Sequence, residues 1–279
     1  MHPSPQALAR QDPHLYGAHG DRMDFRGRHT ATYAILSAPR FTFSLRTQNA
    51  TFIKPGYRPK LVHGSFFTDA FWKVRTLNGD ILVVNTSASN VGFDVVNSTG
   101  HSVVSRTTVW TEFLRHDMRI LYKQSTLLMR AAGWETNVTR KPVYNRLTGP
   151  EWRLDVSLRP LNGTGFESRH GNASGLVAPH GIIGQTWDGD GIAVDGAQDD
   201  YEHSGVEIWT TSMAEGGIEG DARDYELANK FAHDFRYSRF ESTEYTPPRD
   251  VSSLKGLRRV GEMKQSVSAM DQTGLGYRR

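Results

Sequence analysis

Apolar and polar residues alternate with a period of two through much of this 279-residue chain. In Trp152-Arg-Leu-Asp-Val-Ser-Leu-Arg159, Trp152, Leu154, Val156 and Leu158 share one side, and Arg153, Asp155, Ser157 and Arg159 the other. A helix, whose faces repeat every ~3.6 residues, cannot bury such a pattern, whereas a pleated strand with one covered and one wet face does. Phe41-Thr-Phe-Ser-Leu45 alternates in the same way. Segments 71–77 and 80–84 flank Asn78-Gly79, a pair that tolerates the positive φ angles of a type I′ hairpin turn. Further strands are expected at 33–37, 92–96, 103–113, 119–129 and 206–212, a spacing typical of a sandwich or barrel. The expected architecture is all-β, an antiparallel β-sandwich.

One short helix is expected near 221–235, where Leu227, Phe231 and Phe235 recur at four-residue steps behind acids in the first turn. A loop crossing the sheet edge is the competing reading. After Phe240 the hydrophobic periodicity fades through Pro247-Pro248 and scattered Ser and Gly. The chain therefore divides into an N-terminal extension (1–10), a β domain (11–240) and an extended or partner-bound tail (241–279).

Cysteine is absent, which excludes disulfides, thiolate metal sites and a cysteine nucleophile, so stability must come from the core. A hydrophobic content of 37% with 10% aromatics is enough for one. The net charge of +3 comes from scattered Lys and Arg with no basic run, which argues against a nucleic-acid partner. Apolar runs such as Ile81-Leu82-Val83-Val84 fall far short of the ~18 residues of a membrane span. Met1 to Arg10 has neither the basic nor the apolar region of a secretory signal.

Against that stands a dense set of Asn-X-Ser/Thr sequons, at Asn49, Asn85, Asn97, Asn137, Asn162 and Asn172, which take six of the chain's ten asparagines. Chance would give about one or two, so a glycan-bearing, exported surface is expected. The plainer account is that Asn, Ser and Thr are common in β-turns.

Three motifs carry a family resemblance. Asp12-Pro13-His14 precedes Gly17, His19-Gly20-Asp21 and Phe25-Arg26-Gly27; Gly181-Ile-Ile-Gly-Gln-Thr-Trp187 follows later; Phe231-Ala-His-Asp234 runs on to Arg239-Phe240. In this order they resemble von Willebrand factor type D domains and, more closely, the plant root-cap (late-embryogenesis-like) family, over about residues 11–240. Gln11 stands where both have Gly, Arg28 where the root-cap pattern has Lys, and Ile183 and Phe235 stand where these families have cysteines. The resemblance implies an extracellular or wall-associated structural module without enzymatic activity.

Asp188, Asp190, Asp195, Asp199 and Asp200 fall within thirteen residues, interspersed with Gly189, Gly191 and Gly196. Glycines let such a loop curl until carboxylates converge, as a hard cation with several oxygen ligands requires. Type D domains hold calcium in the corresponding stretch, so the resemblance implies a Ca²⁺ site at Asp188, Asp190, Asp199 and Asp200. His19 matches the family's N-terminal aspartate, and Asp21 would take its place. The competing reading is an acidic, solvated turn.

The eleven histidines show no zinc spacing, and no nucleophile elbow, P-loop or dinucleotide fingerprint occurs. The six tryptophans suit either a carbohydrate platform or, at strand spacing, a core. Three functional expectations follow: an extracellular glycoprotein module that assembles with partner chains or itself through a sheet edge and 241–279; a carbohydrate-binding or carbohydrate-active protein; and an intracellular, cytoplasmic accessory or stress-protective subunit.

Overall fold

Two antiparallel sheets enclose the core, as the alternation predicts. The computed structural model describes residues 6–108, 110–161, 163–166, 176–254 and 256–259. In chain order the first strands are β1 (Ala7–Arg10), β2 (His14–Tyr16), β3 (Arg22–Asp24), β4 (Thr32–Ala38), β5 (Phe41–Lys54) and β6 (Lys60–Arg75). They are followed by β7 (Ile81–Ser87), β8 (Phe93–Asn97), β9 (Ser102–Arg106), β10 (Thr111–Arg115), β11 (Met118–Lys123), β12 (Thr126–Ala131) and β13 (Trp134–Pro142). The last are β14 (Arg146–Thr148), β15 (Trp152–Pro160), β16 (Ile192–Val194), β17 (Glu207–Trp209), β18 (Glu226–Leu227) and β19 (Leu257–Arg259).

Sheet one runs β10-β11-β12-β13-β15-β1-β2-β3, and sheet two runs β18-β4-β5-β6-β7-β8-β9, with β14 on β5 and β17 parallel to β6. Alternation sorts the faces as expected: Leu154, Val156 and Leu158 of β15 are buried, while the residues between them are half-exposed. Trp72 of β6 lies fully buried, and its indole N–H donates to Thr136 Oγ1 of β13 at 2.7 Å, joining the two sheets across the core. Trp134 and Trp187 meet edge to face at 5.1 Å in the same core. Three of the six tryptophans are thus core residues, Trp152 is half-buried, and only Trp110 and Trp209 are exposed.

Several elements differ from the sequence reading. Residues 1–10 are not an extension throughout, because β1 sits inside sheet one between β15 and β2, with Ala7 and Ala9 fully buried. Two alanines in a four-residue strand are too short and too weakly β-forming a signal to read. The 103–113 segment is two strands, β9 and β10, which belong to different sheets; Trp110 turns between them at φ +70°. The 119–129 segment is the hairpin β11–β12, turned by Gln124 at φ +55°, a residue that carries no turn signal. At Asn78-Gly79 only the glycine has positive φ (+87°), so the turn is not type I′; the Gly79 N–H donates to the Thr76 carbonyl.

The helix near 221–235 shrinks to a single 3₁₀ turn, Ala222–Tyr225, held by a capping box between Asp221 and Asp224. Beyond it the chain follows sheet two rather than its own helical hydrogen bonds. Leu227 pairs with β4, the Lys73 ammonium donates to the Phe231 carbonyl at 3.1 Å, and Lys73 and Arg75 lie over the Phe240 ring. Tertiary packing overrides a four-residue apolar spacing that only partly fits a helix.

The chain after Phe240 stays on the domain as far as it is described. Val177 bridges Thr246, β19 pairs with β16, and Arg249 is only 4% exposed. Its low hydrophobicity hid this docking, which rests on polar contacts. The rest of the expected tail, 260–279, lies outside the described residues.

The Gly181–Trp187 motif rides on β4: Ile182 and Ile183 N–H donate to the Ala34 and Ile35 carbonyls. Gly181 has φ +108°, and a Cβ there would lie 2.6 Å from the Ile35 carbonyl oxygen, so only glycine fits. Ile183 is buried in the main core and Phe235 packs against it, so apolar contacts stand at both positions where the resembling families have cysteines.

Candidate functional site

The Asp-Gly-rich loop and the N-terminal motif do meet, but around an arginine. The Ala18 N–H donates to Thr186 Oγ1, and the Val194 N–H donates to Asp21 Oδ1, which ties the two motifs together. Between Asp21 and Asp188 lies the guanidinium of Arg249. Its Nη2 donates to Asp21 Oδ1 at 2.8 Å and its Nε to Asp188 Oδ2 at 2.7 Å. All three side chains are 1% exposed or less, and His19 Nε2 stands 3.5 Å from Asp188 Oδ1. Burial pushes the Asp188 carboxyl up to about 8, against the downward pull of Arg249, and the neighbouring Asp190 and Asp21 add to the rise. The arrangement is a buried triad in which one cation serves two carboxyls.

The remaining aspartates of the expected calcium loop go elsewhere. Asp190 Oδ1 accepts the Ile192 N–H. Asp199 Oδ1 takes the Thr211 and Ser212 N–H groups and the Ser212 hydroxyl. Asp200 Oδ1 takes the Glu202 and His203 N–H groups in an exposed turn. Among the described residues no three His, Asp or Glu side chains are placed to hold a metal ion. The set Asp21, Asp188, Asp190, Asp199 and Asp200 does not fit a calcium ion, because Arg249 already supplies the positive charge between the two carboxylates that converge. Proximity in sequence brought the loop together, yet each carboxylate is consumed by its own turn or partner.

A second polar cluster lies at the β2–β3 end of sheet one, beside a cleft of about 460 Å³. His14 Nδ1 and Asp24 Oδ1 are 2.6 Å apart, and Asp24 Oδ2 accepts the Asp199 N–H. Burial lowers the His14 pKa, but the hydrogen bond and charge of Asp24 outweigh it, so the imidazole stays protonated above its ordinary range. An oriented His–Asp pair is the support of a general acid or base. Here, however, His14 and Asp24 are direct cross-strand neighbours, and among the described residues no Ser, Thr or Cys lines the cleft. The pair reads as a joint between β2 and β3.

Behind it, Asp12 accepts the Ser65 N–H and the Tyr201 hydroxyl, the latter at 2.6 Å. Burial raises the Asp12 carboxyl from 3.8 to about 6. Between those two values the folded chain holds a proton that the unfolded chain has released, so stability falls as pH rises through that window, by about 3 kcal/mol in all. Asp12→Asn keeps the shape and removes the titration. Urea unfolding at pH 4 and pH 7 is expected to show the variant gaining on the parent by about 3 kcal/mol at the higher pH; parallel pH profiles would refute the assignment.

Four of the six sequons are described. Asn49 is exposed on β5, and Asn85 and Asn137 are half-buried on β7 and β13. Asn97 closes the β8–β9 turn, its Oδ1 accepting the Thr99 N–H and hydroxyl. Asn162 and Asn172 lie outside the described residues.

Comparison with protein-family models and with curated proteins finds no match. The geometry therefore carries the functional reading. Of its centres, Arg249 and Tyr201 were not singled out from sequence. Arg249 stood in an apparent tail, 228 residues from Asp21, and no spacing rule spans such a gap.

Proposed function

We propose that the chain is an extracellular or wall-associated structural and interaction module, a glycoprotein that assembles through an exposed sheet edge and has no catalytic role. What carries the reading is the side of the sandwich where both sheets end. There β9 and β10, consecutive in the chain, form the open edges of sheets two and one, with Val103, Trp110 and Leu114 exposed along them. Unpaired edges with apolar side chains are templates for strand addition by a neighbouring chain. The opposite edge of sheet one is met by the 195–197 segment, through the Gly196 N–H to the Arg22 carbonyl and the Asp24 N–H to the Ala197 carbonyl. Sequons on both sheets would place glycans at Asn49, Asn85, Asn97 and Asn137 while leaving the β10 edge bare. No described helix is long and apolar enough to cross a membrane.

Cross-linking and glycopeptide mass spectrometry on protein from its native source tests this. Glycans at those asparagines, with intermolecular cross-links falling in 102–115, are expected. Bare sequons would sink the extracellular reading and leave an intracellular accessory subunit as the better account. A carbohydrate platform of several tryptophans draws no support, since the core holds Trp72, Trp134 and Trp187.

A further inference from the structure

A cleft of about 640 Å³ opens between the Phe25-Arg26-Gly27 turn and the 211–223 segment. Its first wall is rigid. The Arg26 N–H donates to the Ser212 carbonyl at 2.8 Å, the Ser65 hydroxyl donates to the Arg26 carbonyl, and the Arg28 N–H donates to the Tyr33 hydroxyl. Gly27 has φ +66°, and a Cβ there would lie 2.6 Å from the Thr47 side chain, so this turn admits only glycine. The Arg26 side chain thus leaves a fixed backbone.

The charges lining the cleft are unequally satisfied. Arg28 pairs with Glu226. The acids are taken by backbone: Glu215 accepts the Met213 N–H at 2.7 Å, and Asp221 accepts the Arg223 N–H at 2.8 Å. Arg26 and Arg223 form no ion pair among the described residues, and Arg26 Nε is buried without a hydrogen-bond partner. A guanidinium beside the cleft with no ion pair is open to an oxyanion there, and guanidinium groups match carboxylate and sulfate oxygens in shape as well as charge. His29 adds a further donor: its Nδ1 accepts the Asn49 N–H, so the neutral ring carries its proton on Nε2.

The rest of the lining mixes polar and apolar surface, with Asn49 and Thr211 offering donors and acceptors and Asp221 acceptors, beside an apolar floor of Tyr33, Met213 and Ala222. The volume is that of a small-molecule site. We propose that this cleft binds an acidic saccharide, its carboxylate or sulfate held by Arg26 and Arg223 and its hydroxyls by the neighbouring polar side chains. Asn49 lines the cleft, so the proposal applies to the chain with Asn49 free of glycan, and its test uses the full chain made without glycans.

Calorimetric titration with digalacturonate, with N-acetylglucosamine 6-sulfate, with the neutral sugar of each pair, and with inorganic sulfate reads the site. An acidic sugar is expected to bind at least about tenfold more tightly than its neutral counterpart, and less tightly as salt rises. Preference for the uronate or for the sulfated sugar identifies the oxyanion. Arg26→Gln is expected to weaken binding by about tenfold or more, Arg223→Gln less, and Arg28→Gln not at all. If Arg26→Gln does not fold, the exposed Arg223 carries the test alone. Equal binding of neutral sugars, inorganic sulfate binding as tightly as the sugars, no binding at millimolar concentration, or affinity unchanged in both the Arg26 and Arg223 variants would each overturn the proposal.

Discussion

Arg249→Ala is expected to destabilise the protein by about 3–5 kcal/mol, because it strands two buried carboxyls without their cation. Asp21 and Asp188 have almost no solvent exposure, so water cannot replace the guanidinium without the segment around 249 opening. A domain of this size would lose on the order of 10 °C in Tm. A triple replacement, Asp21→Asn, Asp188→Asn and Arg249→Met, separates charge from packing. Buried ion triads replaced as a unit by less polar groups often lose little, so the triple variant is expected to recover most of the loss. Urea unfolding of the parent and the two variants at pH 7 makes the measurement. A single-variant loss below about 1 kcal/mol would mean that the guanidinium is not the internal counter-ion the geometry assigns it to be.

Trp72→Ala should cost a comparable 3–5 kcal/mol, by a different route. Trp72 is fully buried at the centre of sheet two, against Phe43 at 5.0 Å between ring centroids, and its N–H reaches across to sheet one at Thr136. Removing the indole leaves a cavity where the sheets are coupled and a buried hydroxyl without that partner. Trp72→Phe isolates the second part and is expected to cost less, with Thr136→Val relieving some of the damage. A coupling of about 1 kcal/mol in the Trp72→Phe and Thr136→Val cycle would measure the cross-sheet hydrogen bond. Additive effects would show that the bond contributes nothing net. Chemical denaturation of the four proteins at one pH suffices.

The fold class was legible because alternation is a local property: each residue of Trp152 to Arg159 declares its face by its neighbours alone. The breaks were not. Gln124 and Trp110 turn the chain with positive φ angles that their side chains do not advertise, so two hairpin and crossover positions were invisible. β1 was invisible too, since two alanines and one leucine gain their meaning only between β15 and β2.

The sequence by itself therefore determined the sandwich, the absence of disulfide support and the sequons. Only the tertiary structure decided which charges meet. Four of the five clustered aspartates read as one site with Asp21, because proximity along the chain raises the odds of convergence. Yet a carboxylate is settled by the nearest donor in space, and the donors here were turn amides for Asp190 and Asp200, the amides of Thr211 and Ser212 for Asp199, and a distant guanidinium for Asp21 and Asp188. The cost of burying an unpaired charge acts on final positions, whatever the separation in sequence. The same reason hid the unanswered donor of Arg26: a surplus charge becomes visible only when every neighbour that could have paired with it has been placed.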